Sequence, residues 1–578
     1  MFQVCNIFLK LLQITYHSLF HWKFKSLVIR DYNYILMDNI IFFFFKFYLY
    51  YTFLYFLGRS FLILISKLSK IKIDSFAKIQ GLEIQIFYPI VGIFFLGNYL
   101  YLLNYLVPLS HPAAYFSLLF LIVNIYEPLN RAATKNVIIN LPFYVIILIS
   151  SFDINFHYDA GLYHLNNQLW IRESNIVFGL SNIYGPFGVG SIYEYVSSFL
   201  WVDKTFMLIH FTNIIFVGLL YSFIFVNLTR NKNQQLYAGS FLLLVYSIFD
   251  NFGLTGGRNG FINIQSIGKQ DLPIAVLFLI TSILLLTSIF RNRYKEEELV
   301  IYSILALFIF QLKISGVVIS LFYILYLNFY KKEKNISIFK LISNIKIFIT
   351  LSLFWLTKSL LQTGCLIFPL ESSCITNLSW VNSDYLLNIE NVTVNFSNSY
   401  YFGESLKIWI ETYLEVPTNQ TILFNYIISL LTLYIISKIF FINYKNIKKH
   451  KILFIIFSAS CLFYLRFGPD MRYLSGLMML GVYSIGINHY PRKNIPILLV
   501  KILLLSSLIM VPKLDSYKSF SLSNGPKVLL PEEKMTERHG RLAPSSGDQC
   551  WVNINCSANF ENYNIDNSGY FKIVTLKK

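Results

Sequence analysis

The stretch LPIAVLFLITSILLLTSIF, Leu272–Phe290, decides how this chain of 578 residues must be read. It runs for nineteen residues without a charge, opens behind Lys269-Gln270-Asp271 and closes on Arg291, Arg293 and Lys295. A helix of about 20 mainly apolar residues crosses the hydrocarbon layer of a bilayer, and Asp271 with Pro273 reads as the start of such a helix. Working outward, the same pattern recurs at 41–66, 83–107, 112–127, 136–152, 206–229 and 236–252. After 272–290 it returns at 298–311, 317–330, 342–361, 420–441, 452–467, 473–488 and 495–511. That makes fourteen expected spans, of which the two around 298–330 are short and read as a hairpin or one broken pair.

The composition agrees. Hydrophobic residues make up 55% of the chain and charged residues 13%, where soluble domains carry roughly 25% charge. A disordered tail, a collagen and an ordinary soluble enzyme are excluded. The formal net charge of +18, from 48 basic and 30 acidic residues, would suggest nucleic acid if it lay on a soluble domain. It lies instead in alternate short loops, carrying Lys67, Lys70, Lys72 and Lys78, Arg131 and Lys135, Arg230 and Lys232, and Arg291, Arg293 and Lys295. The same set continues with Lys331, Lys332 and Lys334, Lys445, Lys448, Lys449 and Lys451, and Arg492 and Lys493. By the positive-inside rule these loops are cytoplasmic, and no nucleic-acid partner is expected.

The reading is therefore an all-α integral membrane protein of about 14 transmembrane helices over residues 37–511. Its large outside loops are 153–205, 253–271 and 362–419, and 512–578 forms a small extracytoplasmic C-terminal module. Residues 1–36 read as an upstream extension, since Lys23, Lys25 and Arg30 fall on the outside by parity and Met37 precedes the first strong span. They lack the layout of a cleavable signal peptide. Two close cysteine pairs, Cys365 with Cys374 and Cys550 with Cys556, fall in outside segments, where thiols oxidise; disulfides are expected there, free thiols being the alternative. Four clustered ligands, as a structural zinc site needs, are not present in either pair.

The first outside loop carries Asp153-Ile154-Asn155-Phe156-His157-Tyr158-Asp159 and continues through Ala160-Gly161-Leu162-Tyr163-His164. Two carboxylates and two histidines beyond the end of a span can serve as a general base toward a hydroxyl or hold a divalent cation on a lipid phosphate. Oxygen ligands of this kind select Mg or Mn over zinc. Against this, Asp153 and Asp159 also read as caps of a helix starting at Ala160. The second outside segment offers Arg258 and Lys269 as phosphate partners through charge-assisted hydrogen bonds, and Asp271 as helix start or functional group. Charges at membrane depth are costly unless they face protein or water. Lys313 and Arg472 read as phosphate contacts, Lys358 and Arg466 as side chains snorkelling to the interface.

These pieces together resemble a known group. The run His157-Tyr158-Asp159-Ala160-Gly161-Leu162-Tyr163-His164 resembles the "YDxGLYHL" loop of an uncharacterised group of bacterial polytopic proteins of O-antigen and other surface-polysaccharide loci. Lys313-Ile314-Ser315, Gly364–Leu370, Arg466–Tyr473 and Gly547-Asp548-Gln549-Cys550-Trp551 look like its later motifs, in the same order across about 150–560. Two departures stand out: Gly364–Leu370 is less Pro-rich, and Asn555-Cys556-Ser557-Ala558 replaces "PCTP". The group in turn is similar to C-type (GT-C) glycosyltransferases, multi-span enzymes with a polyprenyl-phosphate sugar donor. The resemblance implies a catalytic base in the first large outside loop, Asp159 or Asp153, and a bacterial cytoplasmic (inner) membrane with the C-terminus outside.

The expected activity is sugar transfer from a polyprenyl-phosphate-linked donor to a glycan or lipid acceptor, with His157, His164, Arg258, Lys269, Asp271, Lys313 and Arg472 as substrate or phosphate contacts. A polysaccharide polymerase or ligase, a lipid-linked glycan transporter or flippase, and a non-catalytic assembly partner are the alternatives. Against transport, the ionisable residues gather at one face rather than at the midplane, and no inverted repeat is visible.

Overall fold

The computed structural model describes residues 40–69, 71, 78–125, 142–201, 206–230, 234–250, 264, 266–267, 269–393, 406–443, 447–467, 471–487, 489–491, 495–526, 528, 530, 535–538, 541–544, 547–554, 556 and 563–576. The expected upstream extension, 1–36, and Arg258 lie outside them, as do the side chains of Arg466 and Arg472.

Helices α1 (Ile40–Ser69) and α2 (Tyr88–Asn104, entered through a 3-10 turn Ile84–Phe87) begin the described chain. Next come α3 (Pro112–Ile125) and α4 (Pro142–Asp153, whose last turn, Ile149–Asp153, is 3-10). Two short helices follow in the first outer segment, α5 (Leu165–Glu173) and α6 (Ile192–Phe199). The series α7 (Met207–Thr229), α8 (Gln234–Asp250), α9 (Asp271–Arg291), α10 (Glu296–Leu312), α11 (Ile319–Lys334) and α12 (Ile338–Thr363) makes the middle of the chain. Short α13 (Ser383–Thr393) and α14 (Leu406–Glu415) lead to α15 (Pro417–Phe440), α16 (Ile447–Phe467), α17 (Met471–Gly486), α18 (Ile497–Ile509) and α19 (Leu514–Ser519). A helix stands at each of the fourteen positions where a span is expected. Seven of them, among the described residues, are long and apolar enough to cross a membrane. The piece near 317–330 extends further than the apolar pattern suggests, running helically from Ile314 to Lys334.

About 75% of the structure is helical and the strands form only two-stranded ladders. It is an all-α architecture. The uncharged stretch that opened the reading, α9, is its hub: its apolar window is 100% buried, and it packs on α7, α10, α11 and α17. Helices α12 and α15 are the opposite case, with 17% of the window buried in each. Phe354, Leu431 and, on α18, Leu498 are exposed. On a soluble protein such apolar area would be an aggregation liability; on helices of this length it is what contact with hydrocarbon requires. Close approach is set by small residues, as in membrane helix pairs: a Cβ on Gly58 of α1 would overlap the Tyr88 carbonyl of α2.

Two features build the end that carries the tail. First, Asn155–Phe156 pairs in parallel with Ser266–Ile267, so the segments leaving both strands run on side by side. Second, the tail packs on the first outer segment. Strand Ile573–Leu576 pairs with Tyr563–Asp566 and also meets Phe178, whose N–H donates to the Lys572 carbonyl at 2.9 Å. Trp170, Val177, Leu180, Ile183 and Phe187 share one small core with Tyr563 and Val574 of the tail. Trp551 of the tail is buried and lies edge-on to Phe156 at 5.6 Å. Both cysteine pairs are disulfides, Cys365–Cys374 and Cys550–Cys556.

Candidate active site

The parallel ladder explains why one cleft forms. It sets Tyr158–His164 beside Lys269–Asp271, and the turn between α10 and α11 adds Lys313. The resulting cleft encloses about 460 Å³, open to solvent, and is lined by Asp159, His164, Lys269, Asp271 and Lys313 together with Glu194 and neighbouring residues. Five of the residues singled out in the sequence thus meet in one place, from three segments of the chain.

Asp271 stands in the first turn of α9, where a carboxylate complements the N-terminal end of the helix dipole. Its Oδ1 accepts from Lys313 Nζ at 2.9 Å, and its Oδ2 lies 3.8 Å from Lys269 Nζ. Lys313 also rests over the Tyr473 ring at 4.1 Å, a cation–π contact. One carboxylate thus begins α9 and holds two ammonium groups.

Asp159 does not cap. It precedes a π-helical turn, Ala160–His164, and no side-chain cap bond forms. Its backbone N–H donates to His157 Nδ1 at 3.1 Å, which puts the lone pair of that ring on Nδ1 and the proton on Nε2. The Asp159 carboxylate oxygen Oδ2 lies 3.3 Å from the same Nδ1. The π turn widens the helix and directs His164 inward, where the ring is buried and its Nδ1 is hydrogen-bonded to the Glu194 carboxylate. Gln270 Nε2 and Gln168 Nε2 each donate to Glu194 at 2.6 Å, and Trp201 Nε1 donates to Gln168 Oε1 at 2.8 Å.

Not every expected residue belongs here. Asp153 and His157 do not line the cleft. The turn carrying Asp153 is packed against α19, with Phe152 on Phe520 at 5.0 Å between ring centres. Lys358 does not snorkel: it is buried, lies over Trp355 at 4.4 Å and Tyr195 at 5.4 Å, and occupies the space where a Cβ on cleft residue Gly190 would go. Sequence reasoning passed over Glu194. A single carboxylate inside the aromatic run Ile192-Tyr193-Glu194-Tyr195 was the available signal, since an ionisable group in an apolar stretch needs a partner.

A hard divalent cation takes about six oxygen ligands. Both Asp271 oxygens already face ammonium groups, and no group of three His, Cys, Asp or Glu side chains gathers among the described residues. The cleft residues do not fit a Mg or Mn site, and no step is drawn through a metal. Above the cleft, the tail covers the loop. Cys550 and Trp551 N–H both donate to the Gly161 carbonyl, at 3.0 and 2.9 Å, and Tyr158 hydroxyl bonds to Asp548. That bond holds the Tyr158 hydroxyl proton, pushing its pKa up to about 12.

Helices of membrane-crossing length and a charged cleft at their ends define a helical, membrane-associated protein. A family described as a domain of unknown function (DUF8201) matches residues 39–479. The chain belongs to that family. No curated protein and no solved structure matches it.

Proposed function

We propose that the chain is a membrane glycosyltransferase of GT-C type, moving a sugar from a polyprenyl-phosphate-linked donor to a glycan or lipid acceptor in surface-polysaccharide synthesis. All fourteen apolar helices cross the bacterial cytoplasmic membrane on this reading, and the cleft and the C-terminus face outward. The observation that carries it is the meeting of Asp159 and His164 with the Lys269–Asp271–Lys313 group in one open cleft. Phosphate needs fixed cations and an attacking hydroxyl needs a hydrogen-bond acceptor; the cleft offers both.

The acceptor oxygen attacks the anomeric carbon as its O–H proton passes to a basic group of the cleft, where Asp159 and His164 both stand. The carbon–oxygen bond to phosphate breaks, and the phosphate leaves with the electron pair. Lys313 and Lys269 stabilise that charge, an effect typically among the largest in catalysis, and Asp271 keeps the two ammonium groups in place. The test is mass spectrometry of lipid-linked glycans from a deletion strain complemented with wild type, Asp159→Asn or Lys313→Met. Wild type restores a glycan larger by one sugar, and the variants at equal protein level do not. Glycans unaltered by the deletion would end the proposal.

A further inference from the structure

We propose that His164 is the catalytic base of the cleft and Glu194 its positioning residue. The inference rests on the transferase reading above and settles where the proton of the acceptor hydroxyl goes.

The geometry gives the imidazole one orientation. Glu194 is 2% exposed. Its carboxylate has N–H donors from Gln270 and Gln168 at 2.6 Å each, beside His164 Nδ1. Both carboxylate oxygens already serve as acceptors of amide N–H groups, and a carboxylate pairs with a ring nitrogen as the acceptor. His164 Nδ1 therefore carries the hydrogen, and the lone pair of the neutral ring is on Nε2, on a residue that lines the cleft. A carboxylate behind an imidazole fixes its tautomer and stabilises the imidazolium that forms. The support is itself anchored, because Trp201 holds Gln168 at 2.8 Å and Gln270 adjoins Lys269 and Asp271.

The proton balance is complete. The acceptor O–H gives its proton to His164 Nε2 as the new carbon–oxygen bond forms; imidazolium then faces the Glu194 carboxylate, and the phosphate leaves unprotonated toward Lys269 and Lys313. Free carboxylates titrate near about 4 and imidazole near about 6.5, so imidazole is the better store for a proton near neutrality. The other charged groups around the ring are Asp159, Lys269, Asp271 and Lys313 on the cleft, with Lys358 beneath Gly190.

The experiment uses spheroplasts carrying the full-length chain, incubated between pH 5 and 8.5, with conversion of their own lipid-linked glycans followed by mass spectrometry. Wild type should lose activity toward acid. His164→Gln should fall about 10²-fold or more and lose that acid limb. Glu194→Gln should lower the rate about tenfold or more, and Glu194→Asp should restore much of it. Asp159→Asn should lower the rate yet keep the limb. A limb that survives in His164→Gln, or vanishes in Asp159→Asn alone, overturns the assignment, as does a flat wild-type profile. A deletion strain with unaltered glycans would instead remove the transferase reading, and this assignment with it.

Discussion

The two charged groups of the cleft are built differently. The bonds to Glu194 are short, directed ones from two amides and an imidazole, and the carboxylate is nearly sealed. Around Asp271 two lysines meet one carboxylate, at 2.9 and 3.8 Å, and all three side chains keep some contact with solvent. The first arrangement fixes an orientation; the second supplies charge that flexible stems can carry to a ligand. The tail sharpens the contrast, since its Asp548–Trp551 segment docks on the loop that leads into His164.

The largest effect expected from breaking this contrast is on the side of charge. Lys313→Met removes the ammonium nearest Asp271, and sugar transfer should fall about 10²–10³-fold, or roughly 3–4 kcal/mol of transition-state stabilisation. Lys313→Arg should keep part of it. Lipid-linked glycan profiles at matched protein levels read both, and a normal profile in Lys313→Met would show that the ammonium carries no phosphate.

Next comes the clamp over the oriented side. Replacing Cys550 and Cys556 together by serine opens a loop whose cross-linked residues are 6 apart. Loop entropy puts the loss near about 2 kcal/mol. Protease should then cut the tail faster, while α9 and its neighbours hold their melting temperature. Equal cutting of both proteins would mean that the disulfide does not contribute to docking the tail.

A smaller change separates the two groups from within. Asp271→Asn leaves Lys269 and Lys313 near each other without the carboxylate between them. Transfer should drop about tenfold, roughly 1.4 kcal/mol, with the acid limb of the pH profile unmoved, because that limb belongs to the other group. A shifted limb would tie the two groups into a single unit.

The sequence made one group far more legible than the other. Lys313, Lys269 and Asp271 stand out because charges beside long apolar runs are expensive, although a separation of 42 positions between Lys313 and Asp271 hides their pairing. Helix positions were legible for the same reason, as hydropathy marks them directly. Which helices face lipid was not: α9 and α15 read alike along the chain, yet one is wholly buried and the other mostly exposed. Glu194 is hard to see because its partners come from 168, 164 and 270: packing of α5 on α6 supplies the first two and the parallel ladder at 155–156 and 266–267 brings in the third. Lys358 was misread because a long stem near a helix end fits snorkelling equally well, and only the packing of Gly190 shows that it turns inward.

The smallest effect concerns the outermost contact on the oriented side. Tyr158 is 54% exposed, so its bond to Asp548 is screened by water and adds well under about 1 kcal/mol. Its direction with pH is nonetheless defined. The bond raises the tyrosine pKa from 10.0 to about 12, so the neutral hydroxyl is favoured in the docked tail. That contribution is complete below pH 10 and is lost as pH rises toward 12. Hydrogen exchange across 547–554 should therefore quicken over that interval in wild type, and Tyr158→Phe should exchange slightly faster at neutral pH and show no alkaline step. The N–H bonds of Cys550 and Trp551 to Gly161 do not titrate, so they hold the tail on either side of the transition. An alkaline step that persists in Tyr158→Phe would move the titrating group elsewhere, with Tyr184, pushed up to about 12 by burial, as the next to replace.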